Sequence, residues 1–160
     1  MKKSSTILLQ VVIVLIGVIA LALLLWEPHI EGRNVGATTL FQIYFKDPFL
    51  AYAYTASISF FVALYEAFKV LGFVRENKSF SQVTVKAFRT IKYCTITIVA
   101  FIVGAEAYLF IIRPGNDIAG GVFIGLLLIF VFGVSAIAAA LIQNLLQNVV
   151  DIKSENDLTV

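Results

Sequence analysis

IAGGVFIGLLLIFVFGVSAIAAALI, residues 118–142, runs for 25 positions without a charged side chain. A helix rises 1.5 Å per residue, so about 20 apolar residues match a hydrocarbon core about 30 Å thick. Residues 6–26, 49–70 and 91–112 are three further stretches of that length and character. Hydrophobic residues make up 60% of the 160 and charged ones 14%, against about 45–50% and about 25% in soluble domains. A water-soluble fold of this composition would expose large apolar patches. The expected fold is therefore all-α: an integral membrane bundle of four transmembrane helices forming one domain over residues 1–160, with the lipid bilayer as its first partner.

The charges set an expected orientation. Lys2 and Lys3 precede the first span, Lys153 follows the last, and Lys69, Arg75, Lys78, Lys86, Arg89 and Lys92 lie around the connection between helices two and three. Only Arg33, Lys46 and Arg113 fall on the other side. The positive-inside rule then places both termini and the central connection in the cytoplasm. The first apolar run is longer than a signal-peptide core and continues through Leu23, Leu24 and Trp26, so it reads as an uncleaved signal anchor. A net charge of +2 gives no footprint for direct nucleic-acid binding.

Local signals place the helix ends. Glu27-Pro28 closes helix one, and Asp47-Pro48 supplies an N-cap with proline at the first helical position of helix two. Between them, residues 40–45 are aromatic-rich and suit the headgroup boundary. Helix two is expected to end near Gly72. Residues 79–92 read as a short cytoplasmic amphipathic helix that runs on into helix three. Ser79 or Ser81 caps it, Val83 and Ala87 face the membrane, and Lys78, Lys86, Arg89 and Lys92 meet headgroups or a partner. The turn Arg113–Asp117 is expected to join helices three and four, and residues 151–160 to form a polar tail.

Polar residues inside the spans are the candidate sites. Tyr52, Thr55, Ser59 and Glu66 share one face of helix two, with Lys69 beside them. Glu66 is either a proton or cation site or the partner of Lys69, Lys92 or headgroup water. Glu106 lies deeper, seven residues before Arg113, within reach of the guanidinium across two turns. It is either half of an internal ion pair, a polar contact that orients the bundle, or a protonatable or ligand-binding group, because intramembrane carboxylates are expensive and face a partner or a cavity. On helix four, Gly121, Gly125, Ser135, Ala136, Ala139 and Gln143 form a stripe of small and polar residues. It serves close packing within the monomer or contact between copies in a homo-oligomer.

No enzyme is indicated. His29 is the single histidine and Cys94 the single cysteine, too few for a zinc site, a catalytic triad or a dithiol redox pair. No phosphate-cradling glycine loop is present, and no cofactor is expected.

The segment 145–160 (LLQNVVDIKSENDLTV) and the connection from Asn77-Lys78-Ser79-Phe80-Ser81 to Phe88-Arg89-Thr90-Ile91-Lys92 resemble the bacterial membrane family called domain of unknown function 2975. Phe88 departs from the leucine most frequent there. The resemblance implies a four-helix protein of the bacterial cytoplasmic membrane without established activity. It also implies frequent neighbourhood with a small helix-turn-helix regulator of the Cro/CI type, and it supplies no catalytic residue. Two functions follow as expectations. The first is a non-enzymatic binding, sensing or regulatory protein acting through its cytoplasmic connection and tail, with that regulator as partner. The alternative is an oligomeric transporter or channel using Glu106 or Glu66.

Overall fold

The computed structural model describes residues 3–29, 36, 38–45, 47–112 and 119–157. Among them the only regular elements are helices. These are α1 (Lys3–Trp26), a 3-10 turn (Glu27–His29), α2 (Leu40–Phe45), α3 (Pro48–Arg75), α4 (Gln82–Ile112) and α5 (Ala119–Asp157). Four of them, α1, α3, α4 and α5, are long and apolar enough to cross a membrane. Arg33, Lys46, Arg113, the 113–117 turn and residues 158–160 lie outside the described residues.

The caps follow the residues that the sequence offers. Asp47 has extended backbone and its Oδ1 accepts from the Phe49 amide at 2.9 Å, with Pro48 at the first helical position. Such a cap is worth about 1 kcal/mol. Gly72 does not end α3. The helix continues to Arg75, and Asn77 at φ 58° makes the left-handed turn. The Lys78 amide bonds the Phe73 carbonyl (2.8 Å) and the Asn77 amide bonds Val74 (3.3 Å), the paired closure that left-handed C-caps produce. Ser81 opens α4: its carbonyl takes the Thr84 and Val85 amides, and the Ser81 and Thr84 hydroxyls both donate to the Lys78 carbonyl.

The amphipathic segment is thus the first turns of α4 and enters the span without a break. Lys86 and Arg89 are exposed as expected, but Ala87 is buried with Thr84 and Val85, while Val83 is exposed. Residues 151–157 likewise continue α5 instead of forming a separate tail. Its 39 residues extend about 58 Å.

The helices pack in chain order. α3 packs against both α1 and α4, and α5 packs against α4 in the most extensive contact, with the Phe132 ring of α5 also meeting Phe60 of α3 edge-on at 6.3 Å. Tight burial is sparse and inverted relative to a soluble core. Among the described residues the buried side chains include apolar ones (Leu50, Val85, Ala87, Ile98, Ala136, Ala139) and nearly as many polar ones: Thr6, Gln10, Thr84, Thr95 and Gln143. Lipid tails are as apolar as leucine, so leucine gains little by turning inward, whereas polar and small groups do.

Candidate functional site: the polar seam between α4 and α5

The buried positions of α5 fall at Gly125, Ala136, Ala139 and Gln143, with half-buried Ile129, Phe132, Leu146 and Val150 completing the row. Their spacing alternates four and three, the heptad pattern of closely paired helices. Two contacts fix the register. A Cβ built on Gly121 would lie 3.5 Å from Leu109 Cδ1, and one built on Gly125 would coincide with the Glu106 carboxylate, overlapping Oε1. Moving four residues along α5 moves three residues back along α4, so the pair is antiparallel.

Glu106 therefore fills the notch that the missing side chain of Gly125 leaves. It lies about 9 Å along the axis from the last residue of α4, well inside the span. Its Oε2 is buried and has no hydrogen-bond partner among the described residues. Gln143 Oε1, near the other end of the seam, is the second such atom. Leaving a neutral buried oxygen unpaired costs about 1–3 kcal/mol, and an unpaired ion costs more. The Arg113 partner expected for Glu106 lies outside the described residues.

The other candidates are placed differently. Tyr52 faces α4: its hydroxyl donates to the Phe101 carbonyl at 2.8 Å, and its ring meets Phe101 edge-on at 5.0 Å. The hydroxyl rests over Gly104, where a Cβ would stand 2.5 Å away. Beside it, Pro48, Phe49, Tyr52, Gly104, Ala105 and Tyr108 line an apolar cleft of about 270 Å³. Thr55 is exposed and bonds the Ala51 carbonyl of its own helix, and Ser59 is half-buried. Glu66 takes the Lys69 ammonium on both oxygens at 2.9 and 3.0 Å, while Lys92 lies over the Tyr93 ring at 4.8 Å. Ser135 is exposed and bonds the Val131 carbonyl, and Ala136 takes the buried place beside it. Ala139 is buried; Gly121 is exposed yet touches Leu109.

At the basic end, Lys78 donates to Glu76 at 2.9 Å, and both side chains are well exposed. That hydrogen bond, reinforced by the charges of Lys78 and Arg75, holds the Glu76 carboxyl below the ordinary glutamate range. Its pairing is therefore present above that range and is lost as pH falls through the lowered value.

Several further polar contacts tie the helices together through residues that the sequence alone does not mark. Gln10 Nε2 donates to the Phe68 carbonyl (3.4 Å), tying α1 to α3. Tyr54 donates to the Leu24 carbonyl (3.2 Å) at the opposite end of the same pair. There His29, Tyr44, Phe45 and Tyr54 form a ring cluster, with centroids 5.9–6.3 Å apart. The signal available was a lone glutamine or tyrosine inside an apolar run, which needs a partner wherever lipid is the solvent.

Residues 37–160 match the family described as Protein of unknown function (DUF2975). The chain belongs to this family. It is 41% identical over 162 residues to the uncharacterized membrane protein YoaS of Bacillus subtilis (strain 168), covering the whole of both chains. No solved structure matches. Membership agrees with the four helices able to span a bilayer, and the protein is a membrane protein of this bacterial family.

Proposed function

We propose that this DUF2975 protein is a non-enzymatic binding protein that presents a stiff helical tip to a cytoplasmic partner. The observation that carries the reading is the unbroken run of α5 through Asp157. Residues 143–157 extend about 22 Å past the apolar stretch. On this extension Leu145, Val149 and Ile152 are 66%, 42% and 67% exposed, at spacings of four and three that put them on one face. Beyond the hydrocarbon no lipid covers that face, and an apolar face left in water is the usual mark of a docking surface. Gln147 braces the same turns by donating to Asp151 at 2.7 Å. The excess of basic residues at this end, nine against three in the whole sequence, supports a cytoplasmic placement in the inner membrane with both termini inside. A small helix-turn-helix regulator is one partner of suitable size, through the family neighbourhood noted above.

A photo-crosslinking residue at position 145, activated in native cells, tests the proposal. The expected result is one discrete protein adduct that disappears when Val149→Gln and Ile152→Gln are combined, with the level of membrane-inserted protein unchanged. Lipid adducts alone, or a protein adduct indifferent to both substitutions, would reject a docking role for the tip.

A further inference from the structure

We propose that the apolar face of the α5 tip is occupied by the same face of a second copy, so that two chains pair in parallel along α5. The inference rests on the docking reading of the tip and names the occupant of its face.

That face is longer than three residues. Ile142, Leu145, Val149 and Ile152 are all exposed and recur at spacings of three and four, the a and d positions of a heptad repeat. β-branched residues at both a positions, with leucine at the first d, favour two strands. Asn156 stands at the next a position, where asparagine fixes the register of a pair. The flanking residues that a parallel pair brings together, Asn148 at g and Lys153 at e, set no like charges against each other.

The series runs back into the span without a break. Ala138, Ser135, Val131 and Leu128 continue the same alternation, and each is exposed. Every member stands one position before a residue of the row that packs on α4, as Ile142 precedes Gln143 and Ser135 precedes Ala136. The face is therefore turned about 100° away from the α4 seam, and the described residues leave it open along both the span and the tip.

This continuity selects the occupant. A soluble protein can cover the tip but not the part of the face that lies in hydrocarbon. An occupant of the whole face is itself a membrane helix, running the same way and projecting beyond the bilayer on the same side. A second copy supplies one. Copies inserted with one orientation are related by an axis normal to the bilayer, so identical a and d layers meet at the same height in a self-complementary contact. Within the span, Ser135 and Ala138 are small enough for two backbones to approach closely. Beyond it, the larger side chains of the tip fill the widening space. Confining both helices to one membrane raises their effective concentration, which helps so short a heptad stretch to pair.

Single cysteines in a Cys94→Ser background, oxidised in native membranes, test the pairing. Leu145→Cys, Val149→Cys and Ile152→Cys are expected to give a disulfide-linked product of twice the chain mass. Asn144→Cys and Ser154→Cys, away from the a and d positions, are expected to give none. As a second measurement, wild-type protein carrying one fluorophore per chain and reconstituted at high dilution in liposomes should bleach in two steps. Val149→Gln combined with Ile152→Gln should reduce this to one. Equal crosslinking at all five positions, or wild-type bleaching in one step or in more than two, would overturn the dimer. Attachment of a photo-crosslinker at residue 145 to a different protein, with the chain itself monomeric, would overturn it and leave the docking reading standing. Attachment to lipid alone would reject both.

Discussion

Gly125→Ala is expected to drive Glu106 out of the α4–α5 seam and to destabilise the protein by about 1–3 kcal/mol, the range for overpacking a tight contact. The new Cβ would coincide with the carboxylate and come within 3.2 Å of Glu106 Cγ. A carboxylate at the end of a flexible side chain can ordinarily swing away at little cost. Here the alternative surroundings are lipid and the apolar flank of α5, so relief of the clash exposes a polar group to hydrocarbon. Glu106→Ala in the same chain removes the clashing atoms and should restore most of the loss. Unfolding of the four forms in one detergent gives the coupling directly. Strictly additive losses would mean that residues 106 and 125 do not touch.

Gly104→Ala is expected to act in the same way on the α3–α4 side, again by about 1–3 kcal/mol. Its Cβ would stand 2.5 Å from the Tyr52 hydroxyl oxygen, while the next ring atom, at 3.6 Å, is in ordinary contact. The clash thus comes from one oxygen, the one that donates to Phe101. Tyr52→Phe alone should cost only about 0.6 kcal/mol, the average for interhelical hydrogen bonds in membranes. Combined with Gly104→Ala, it should make the alanine nearly neutral. A double variant as unstable as the sum of the two would place the damage elsewhere than at this contact.

The spans were legible because apolar length reports the solvent directly. Where each helix stops was less so, because backbone hydrogen bonding continues past the last apolar residue until a cap intervenes. Asp47-Pro48 is such a cap and was readable. Asn77, which takes over from Gly72, acts through a left-handed backbone that composition does not show. The reach of α5 is a different case: residues 143–157 carry no breaker, so the helix runs past the apolar stretch beyond Asn148, but their mixed apolar and polar side chains do not mark where it stops.

Packing faces were harder still. In water an apolar stripe marks the buried side of a helix, but in lipid the outward side is just as apolar. Small and polar residues then become the only pointers, and they need the right angle. At about 100° per residue, Ser135 lies about 80° from Gly125 around α5, whereas Ala136 lies about 20° away. Ala136 is accordingly the buried one. From its own helix alone, Ala87 reads as facing the membrane. Extending the antiparallel register from Gly125 and Gly121 puts Ala87 level with the Gln143 region of α5, and Ala87 is buried there together with Thr84 and Val85. The meeting of Glu106 with Gly125 belongs to that register too, and no single helix contains it.

A cytoplasmic tip on α5 requires four crossings, with the α3–α4 turn and the tip of α5 on the same side of the membrane and the α1–α3 connection on the other. Cysteine accessibility in intact cells measures this most directly, in a Cys94→Ser background with single cysteines at Thr38, Ser79 or Ser154. The predicted result is labelling of Thr38→Cys by an impermeant thiol reagent, with Ser79→Cys and Ser154→Cys reacting only after permeabilisation. Labelling of Ser79→Cys in sealed cells, or of Thr38→Cys and Ser154→Cys from the same side, would contradict it.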